Sequence, residues 1–209
     1  MTGSVVAELG SMVALGLAPM TAAGFLKDLT NSVIVDVENH VLGVDRLRVV
    51  VNRRGGNELI PIAFLASNVK KVSLYSADDN IMLHVGGEIV DGPYQNRGIG
   101  PDLIKSELAH TNATLLGGHT QNLHALKMLE GLADYELGLS NTLAQMLGTP
   151  NPEIVCLDDG PKVVHVGRYG DHSLYGDLKH FRQQQSVIKG LNYENGDAVV
   201  FVGQIKEVT

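Results

Sequence analysis

Residues 113–132 read Ala-Thr-Leu-Leu-Gly-Gly-His-Thr-Gln-Asn-Leu-His-Ala-Leu-Lys-Met-Leu-Glu-Gly-Leu. Ala113 to Leu116 is a short strand, and Gly117-Gly118-His119-Thr120 leads out of it. From Gln121 the apolar positions Leu123, Leu126, Leu129 and Leu132 recur every three residues, which is the spacing of one helix face. A strand handing over to a helix places the chain among the α/β folds, in a mixed α+β arrangement.

Downstream, a second helix is expected from Tyr135 to Leu147, stopped by Gly148 and Pro150. Strands at Ile154–Leu157 and Val163–Val166 flank the turn Asp158-Asp159-Gly160-Pro161. A helix around Leu178–Ile188 and a strand at Ala198–Ile205 follow. Upstream, Pro101 and Asp102 open a helix to about Ala109, behind a polar loop from Asp91 to Gly100. Before that come β-branched runs at Val33–Val37, Leu47–Val51, Leu59–Leu65, Val69–Tyr75 and Ile81–Val85. Pro61 suggests an edge position for the third of these. Residues 4–29 read as a helical leader broken near Pro19. The expected architecture is thus a helical leader and β-meander, then a β/α half with a mixed sheet. It forms a single unit over 1–209, with a weak subdivision into 1–90 and 91–209.

The composition bounds the function. A chain of 209 residues, 44% hydrophobic and 19% charged, has enough apolar material for a core without staples. Aromatic residues are only 5% and tryptophan is absent, so the core is aliphatic. A formal charge of −7 opposes a nucleic-acid partner, which needs a positive field. Arg46, Arg48, Arg53 and Arg54 form the one dense basic group and read as a solvated strand face. The single cysteine, Cys156, excludes an internal disulfide and reads as a buried filler. No charge falls between Leu9 and Leu26, yet glycines and Pro19 interrupt the stretch. It is read as apolar helices buried in the core or in a homo-oligomer contact rather than as a membrane span. With no basic segment before it, a secretory signal is not expected, and the expected location is cytoplasmic.

The first candidate site is the Gly117-Gly118-His119-Thr120 turn. A strand-to-helix junction leaves backbone N–H groups unpaired, and the helix dipole favours an anion there. Gly117, Gly118, Thr120 and Gln121 are the candidate anion-binding residues, with His119 as acid or base. A glycine turn with a threonine cap accounts for the same residues without a ligand. Arg168 and His172, in a glycine-flanked loop, are further candidate catalytic residues, with Arg168 placed to hold the end of an anionic substrate opposite His119. Asp158, Asp159 and His165 are candidate ligands for a divalent metal, though they lack the tight helical spacings of known sites. No third glycine or downstream carboxylate marks a dinucleotide motif.

The leading expectation is therefore an enzyme, a hydrolase or lyase, acting on a small phosphate- or carboxylate-bearing metabolite. The alternatives are a non-catalytic homo-oligomeric assembly protein and a metal-dependent hydrolase.

Overall fold

Ile62, Ala63, Phe64, Leu65 and Ala66 are all fully excluded from solvent. An uninterrupted apolar run of this kind belongs to a strand covered on both faces, which is why it shows no alternation. It lies in β4 (Glu58–Ser73). The computed structural model describes residues 6–9, 12–16, 44–54, 58–73, 79–170 and 187–206. The chain divides into two compact units, Met1–Val69 with Val85–Asn112, and Lys70–His84 with Ala113–Thr209. The strands and helices together make a mixed α+β fold.

In the first unit the strand order is β1 (Val6–Leu9), β2 (Met12–Gly16), β3 (Arg46–Arg54), β4 and the end of β5 (Asp79–Val90). β1 pairs antiparallel with β2, and β2 with β3. The helical leader expected over 4–29 is thus corrected where it is described: residues 6–9 and 12–16 are strands. A continuous apolar run does not separate helix from strand by periodicity, and pairing with β3 decides it. The remainder of that segment, and the expected strand at Val33–Val37, lie outside the described residues.

The register of β3 on β4 slips between Val50 and Val51, whose partners are Ala63 and Pro61. Ile62 is the extra residue of a bulge. Pro61, which brings no N–H to a ladder, is therefore tolerated inside the sheet rather than at its edge. The carbonyl of Ile62 accepts the amide of Asp91 at 2.8 Å, which ties down the segment leaving β5. Helix α1 (Ile99–Thr111) follows and buries Leu103, Ile104 and Glu107. Val69–Tyr75, expected as a separate strand, continues β4 as far as Ser73.

In the second unit the order is β5, β6 (Leu115–Thr120), β10 (Ala198–Ile205), β9 (Gly160–His165) and β8 (Pro152–Leu157). β7 (Ala133–Tyr135) also pairs with β10. β6, β9 and β10 pair antiparallel, but β5 and β6 run the same way. The amide of Thr114 reaches the carbonyl of Ile81, Met82 meets Gly117, and the rings of His84 and His119 are neighbours. Both strands therefore ascend together, as a helical crossover between them requires.

Helix α2 (Leu123–Leu132) buries Leu126 and Leu129, and a shorter α3 (Leu137–Leu143) lies against the sheet. The helix expected over Tyr135–Leu147 instead gives its first residue to β7 and its last turn to a 3-10 segment, Gln145–Leu147. β7 forms because Gly203 lets it approach: a Cβ there would stand 2.5 Å from the Asp134 carbonyl oxygen. Leu143, Ala144 and Leu147 pack with Val72, Met82, Leu115, Val163, Val200 and Val202 to form the core of this unit. Cys156 is exposed rather than buried, because β8 is the last strand of the sheet. Of the helix expected around Leu178–Ile188, only Val187 and Ile188 are described, and neither is helical. No helix among the described residues is long and apolar enough to cross a membrane.

Candidate functional site

Gly117 and Gly118 do not form a turn. They are the third and fourth residues of β6, buried, and paired with Val202 and Phe201 of β10. With β5 on its other side, β6 spends its amides on the two ladders. Gly117 is there for packing, since a Cβ would come within 2.9 Å of the Met82 sulfur. The strand-to-helix junction lies beyond, and Asn122 caps it. Its Oδ1 accepts the amides of His124 at 2.8 Å and Ala125 at 3.3 Å. Thr120 is buried and its hydroxyl accepts the Asn122 amide, while the buried Gln121 donates from Nε2 to the carbonyl of Asp197 at 2.7 Å. The expected cluster of free amides is thus satisfied by the protein's own groups. The anion-binding turn is corrected on that ground.

The metal reading is corrected similarly. Asp159 pairs at 3.4 Å with Lys162, which also holds Glu130 at 3.1 Å, and Asp158 pairs with Lys189 at 3.6 Å, so both carboxylates face lysines. His165 points its Nδ1 at the Thr149 hydroxyl instead. Among the described residues no group of three or more His, Cys, Asp or Glu side chains is placed to hold a metal.

His119 does gather with other polar side chains of the second unit. Its ring lies edge-on to His84 at 6.2 Å and to His165 at 5.4 Å between centroids. Strands β5, β6 and β9 supply one histidine each. Thr149, fully buried, reaches His119 Nε2 at 2.8 Å and His165 Nδ1 at 2.9 Å. It is aimed there by Gly148, whose φ of +84° ends the 3-10 turn and lets the Thr149 amide return to the Ala144 carbonyl. Burial pushes the His119 imidazole well below its ordinary range, with Arg168, His84, His165 and Lys70 adding positive charge in the same direction. His84 is lowered to about 4, by burial first and then by Lys70 and Arg168. His165 is lowered by burial and Arg168, against the opposing charge of Asp197. Arg168 sits between Gly167 and Gly170, both at positive φ, in a turn held by Asp197 Oδ1 on the Gly167 amide at 2.9 Å. His119 and Arg168 therefore belong to one electrostatic neighbourhood, while His172 lies outside the described residues.

A second arrangement, in the first unit, falls in the polar loop expected from Asp91 to Gly100. β5 ends at Val90, and Asp91 to Gly98 lead into α1. Gly98, the N-cap, has φ +79°, and no side chain caps the helix. Asn96 also has positive φ, +59°, while Arg97 between them does not. Alternating hand in this way turns successive N–H groups toward one concavity. Among the described residues no acceptor meets the amides of Asn96, Arg97, Gly98, Ile99 or Gly100. Arg97 adds a guanidinium 5.5 Å from the Tyr94 ring centroid, and Asn52 Nδ2 fixes Tyr94 through its hydroxyl at 2.7 Å. Asp102 in the first turn is the opposing charge. The signal in the sequence was Asn96-Arg97-Gly98-Ile99-Gly100 at a strand end, where positive φ is cheap. Glu88, part-buried on β5, has its carboxyl raised to about 7 by burial.

No family model matches the chain, and no curated protein matches it significantly. Similar solved structures include NAA60 of Arabidopsis thaliana in complex with a bisubstrate analogue, at 14% identity over 93% of this chain and 99% of that one, TM-score 0.49. The NatC complex bound to Gag peptide and CoA is 13% identical over 94% and 100%, TM-score 0.49. The IAA acetyltransferase of Bacillus cereus is 11% identical over 93% and 100%, TM-score 0.45. The expected hydrolase or lyase of a small anionic metabolite, the metal hydrolase and the non-catalytic assembly have no counterpart among these three. Where the sequence suggested a possible divalent metal and no dinucleotide motif, NAA60 is also described with acetyl-CoA and NatC with CoA.

Proposed function

We propose that this chain is an acyltransferase that takes its acyl group from an acyl-coenzyme A, with the diphosphate of the coenzyme held at the start of α1. The observation that carries the reading is the row of unpartnered amides from Asn96 to Gly100, ahead of a 13-residue helix. A diphosphate needs several convergent donors and a positive local potential. A nest of N–H groups at a helix N-terminus supplies both without a lysine. The row also lies beyond the carboxyl end of β5, where a parallel crossover leaves the sheet and where such folds place nucleotide ligands. The similar structures supply the name of the coenzyme to try first. Their loose overlap adds no weight, and the assignment stands on the amide row.

Coenzyme A would supply an activated thioester. This chain's part at the first unit is to bind and orient, with Arg97 offsetting phosphate charge and Tyr94 holding Arg97 in place. Titration calorimetry with acetyl-CoA, coenzyme A and ADP tests the reading. Saturable binding of acetyl-CoA, competed by ADP and weakened by Arg97→Ala, is the expected result. Thiol release from acetyl-CoA in the presence of a panel of amines then reports transfer. Absence of binding at millimolar acetyl-CoA would sink the proposal. Tight binding of ADP with none of acetyl-CoA would redirect it to another diphosphate ligand.

A further inference from the structure

Thr149 presents one hydroxyl to two imidazoles, His119 Nε2 at 2.8 Å and His165 Nδ1 at 2.9 Å. A hydroxyl has a single proton to donate and lone pairs to accept others. The three groups are therefore linked in donor sense. When His119 Nε2 carries its proton and donates to Thr149, the threonine proton is free to be given to His165 Nδ1, and the outer nitrogen of His165 carries the hydrogen. In the reverse sense every bond flips, and both rings carry their protons on Nδ1. A run of this kind, part-buried at His119 and at His165, passes through a threonine hydroxyl that is fully buried.

We propose that His119, Thr149 and His165 form a proton relay that carries a proton taken up at His119 Nδ1 out to solvent at His165. The atoms balance without any co-reactant. A substrate N–H or O–H gives its proton to His119 Nδ1, and the proton on His119 Nε2 passes to Thr149 Oγ1. The hydroxyl proton of Thr149 passes to His165 Nδ1, and His165 Nε2 releases its proton to water. One proton leaves the substrate, one reaches solvent, and both rings end as the opposite tautomers, which exchange with water resets.

Two further features favour transport over static packing. Arg168 and Lys70 bear on the same rings as positive charges, so a proton does not settle on His119 or His84 at neutral pH. A relay needs sites that pass a proton on rather than trap it. Beside His119, the Nδ1 of His84 is buried with no partner among the described residues. A buried polar atom of this kind calls for a polar neighbour, and a water molecule beside His119 would meet that need. Met146, one turn before Thr149, receives the Lys70 ammonium at its carbonyl, which keeps that charge near the threonine end. The relay is independent of the coenzyme reading, and its test uses no coenzyme.

The test is nitrogen NMR of the imidazoles in the full chain, comparing the protein with Thr149→Val, Thr149→Ser and His165→Gln. Valine keeps the shape of threonine and removes the hydroxyl, and the Thr149 amide bond to Ala144 is untouched. In the parent and in Thr149→Ser, His119 and His165 are expected to hold matching tautomers. The ring N–H of His119 is expected to exchange readily with water. In Thr149→Val the tautomers lose their correlation, and exchange of the His119 ring N–H slows by an order of magnitude or more. His165→Gln, which leaves the buried hydroxyl in place and removes the exit, is expected to slow the exchange similarly and serves if the valine variant fails to fold. Unchanged tautomers and unchanged exchange in either variant would overturn the relay, as would a serine variant that behaves like valine.

Discussion

The sulfur of Met82 stands 2.9 Å from the point where a Cβ on Gly117 would be. Leu147 reaches the same space at 3.6 Å. Gly117 is thus a packing residue of β6, and Gly117→Ala is expected to destabilise the protein by about 1–3 kcal/mol, the usual cost of overfilling a tight core. Urea denaturation checks it, and in a Met82→Ala background the further cost of Gly117→Ala should shrink, because the space is already open. An alanine variant of unchanged stability would mean that the strand has room that this geometry denies.

Arg46 and Arg48 both direct Nε at the carboxylate of Glu107, one to each oxygen. Glu107 and Arg48 are buried on α1 and β3, while the Arg46 side chain is 40% exposed. Removing one partner of a buried pair leaves the other as an uncompensated charge, which costs roughly 3–5 kcal/mol. Glu107→Gln is expected to fall in that range. Arg48→Met combined with Glu107→Met should recover most of it, because the only charge left behind is that of Arg46, whose side chain is 40% exposed and can turn to water. A double variant as unstable as the single one would show that shape, and not charge, sets the cost.

At the start of α1, Gly98 holds φ +79° and its Cβ position is clear of all atoms but the Asp102 carboxylate at 3.8 Å. Alanine would therefore meet backbone strain of about 1–2 kcal/mol rather than a clash. Relief of that strain swings the Gly98 amide out of its row. Gly98→Ala is expected to weaken acetyl-CoA binding at least tenfold, about 1.4 kcal/mol, with only a small fall in melting temperature. Calorimetry and thermal denaturation on the same sample separate the two, and a variant that loses stability yet binds normally would detach the coenzyme from α1.

Much of the fold could be read from local pattern. The last strand falls at Ala198–Ile205 as expected, and the polar loop before α1 and the end of α2 at Leu132 also match. What failed locally was Gly117-Gly118, because two glycines mark a turn unless something distant needs their missing side chains. Met82 and Leu147 are that something, and neither is near in sequence. The four arginines before Gly55 illustrate the same limit: a solvated face was expected, but the partner that buries Arg48 lies 59 residues away. Histidine richness in the second half was visible. Its organisation was not, since Thr149 joins rings 30 residues before it and 16 after it through the order of three strands.

The imidazole of His84 makes stability depend on acid in a way whose sign is fixed. Burial and the charges of Lys70 and Arg168 lower it from 6.5 to about 4 in the folded chain. Above pH 6.5 the ring is neutral whether the chain is folded or not, and its contribution to stability is complete. As pH falls from there toward 4, the unfolded chain takes up a proton that the folded one refuses, so stability drops through this window. The shift corresponds to something on the order of 3 kcal/mol by the bottom of it. His119 and His165 are displaced the same way and steepen the fall. His84→Leu removes both the titrating group and the unpartnered Nδ1. It is expected to hold its urea midpoint better than the parent between pH 6.5 and 4.5 and to match or exceed it at pH 7. Superimposable midpoints for the two proteins across that range would mean that the His84 ring is already hydrated in the folded state.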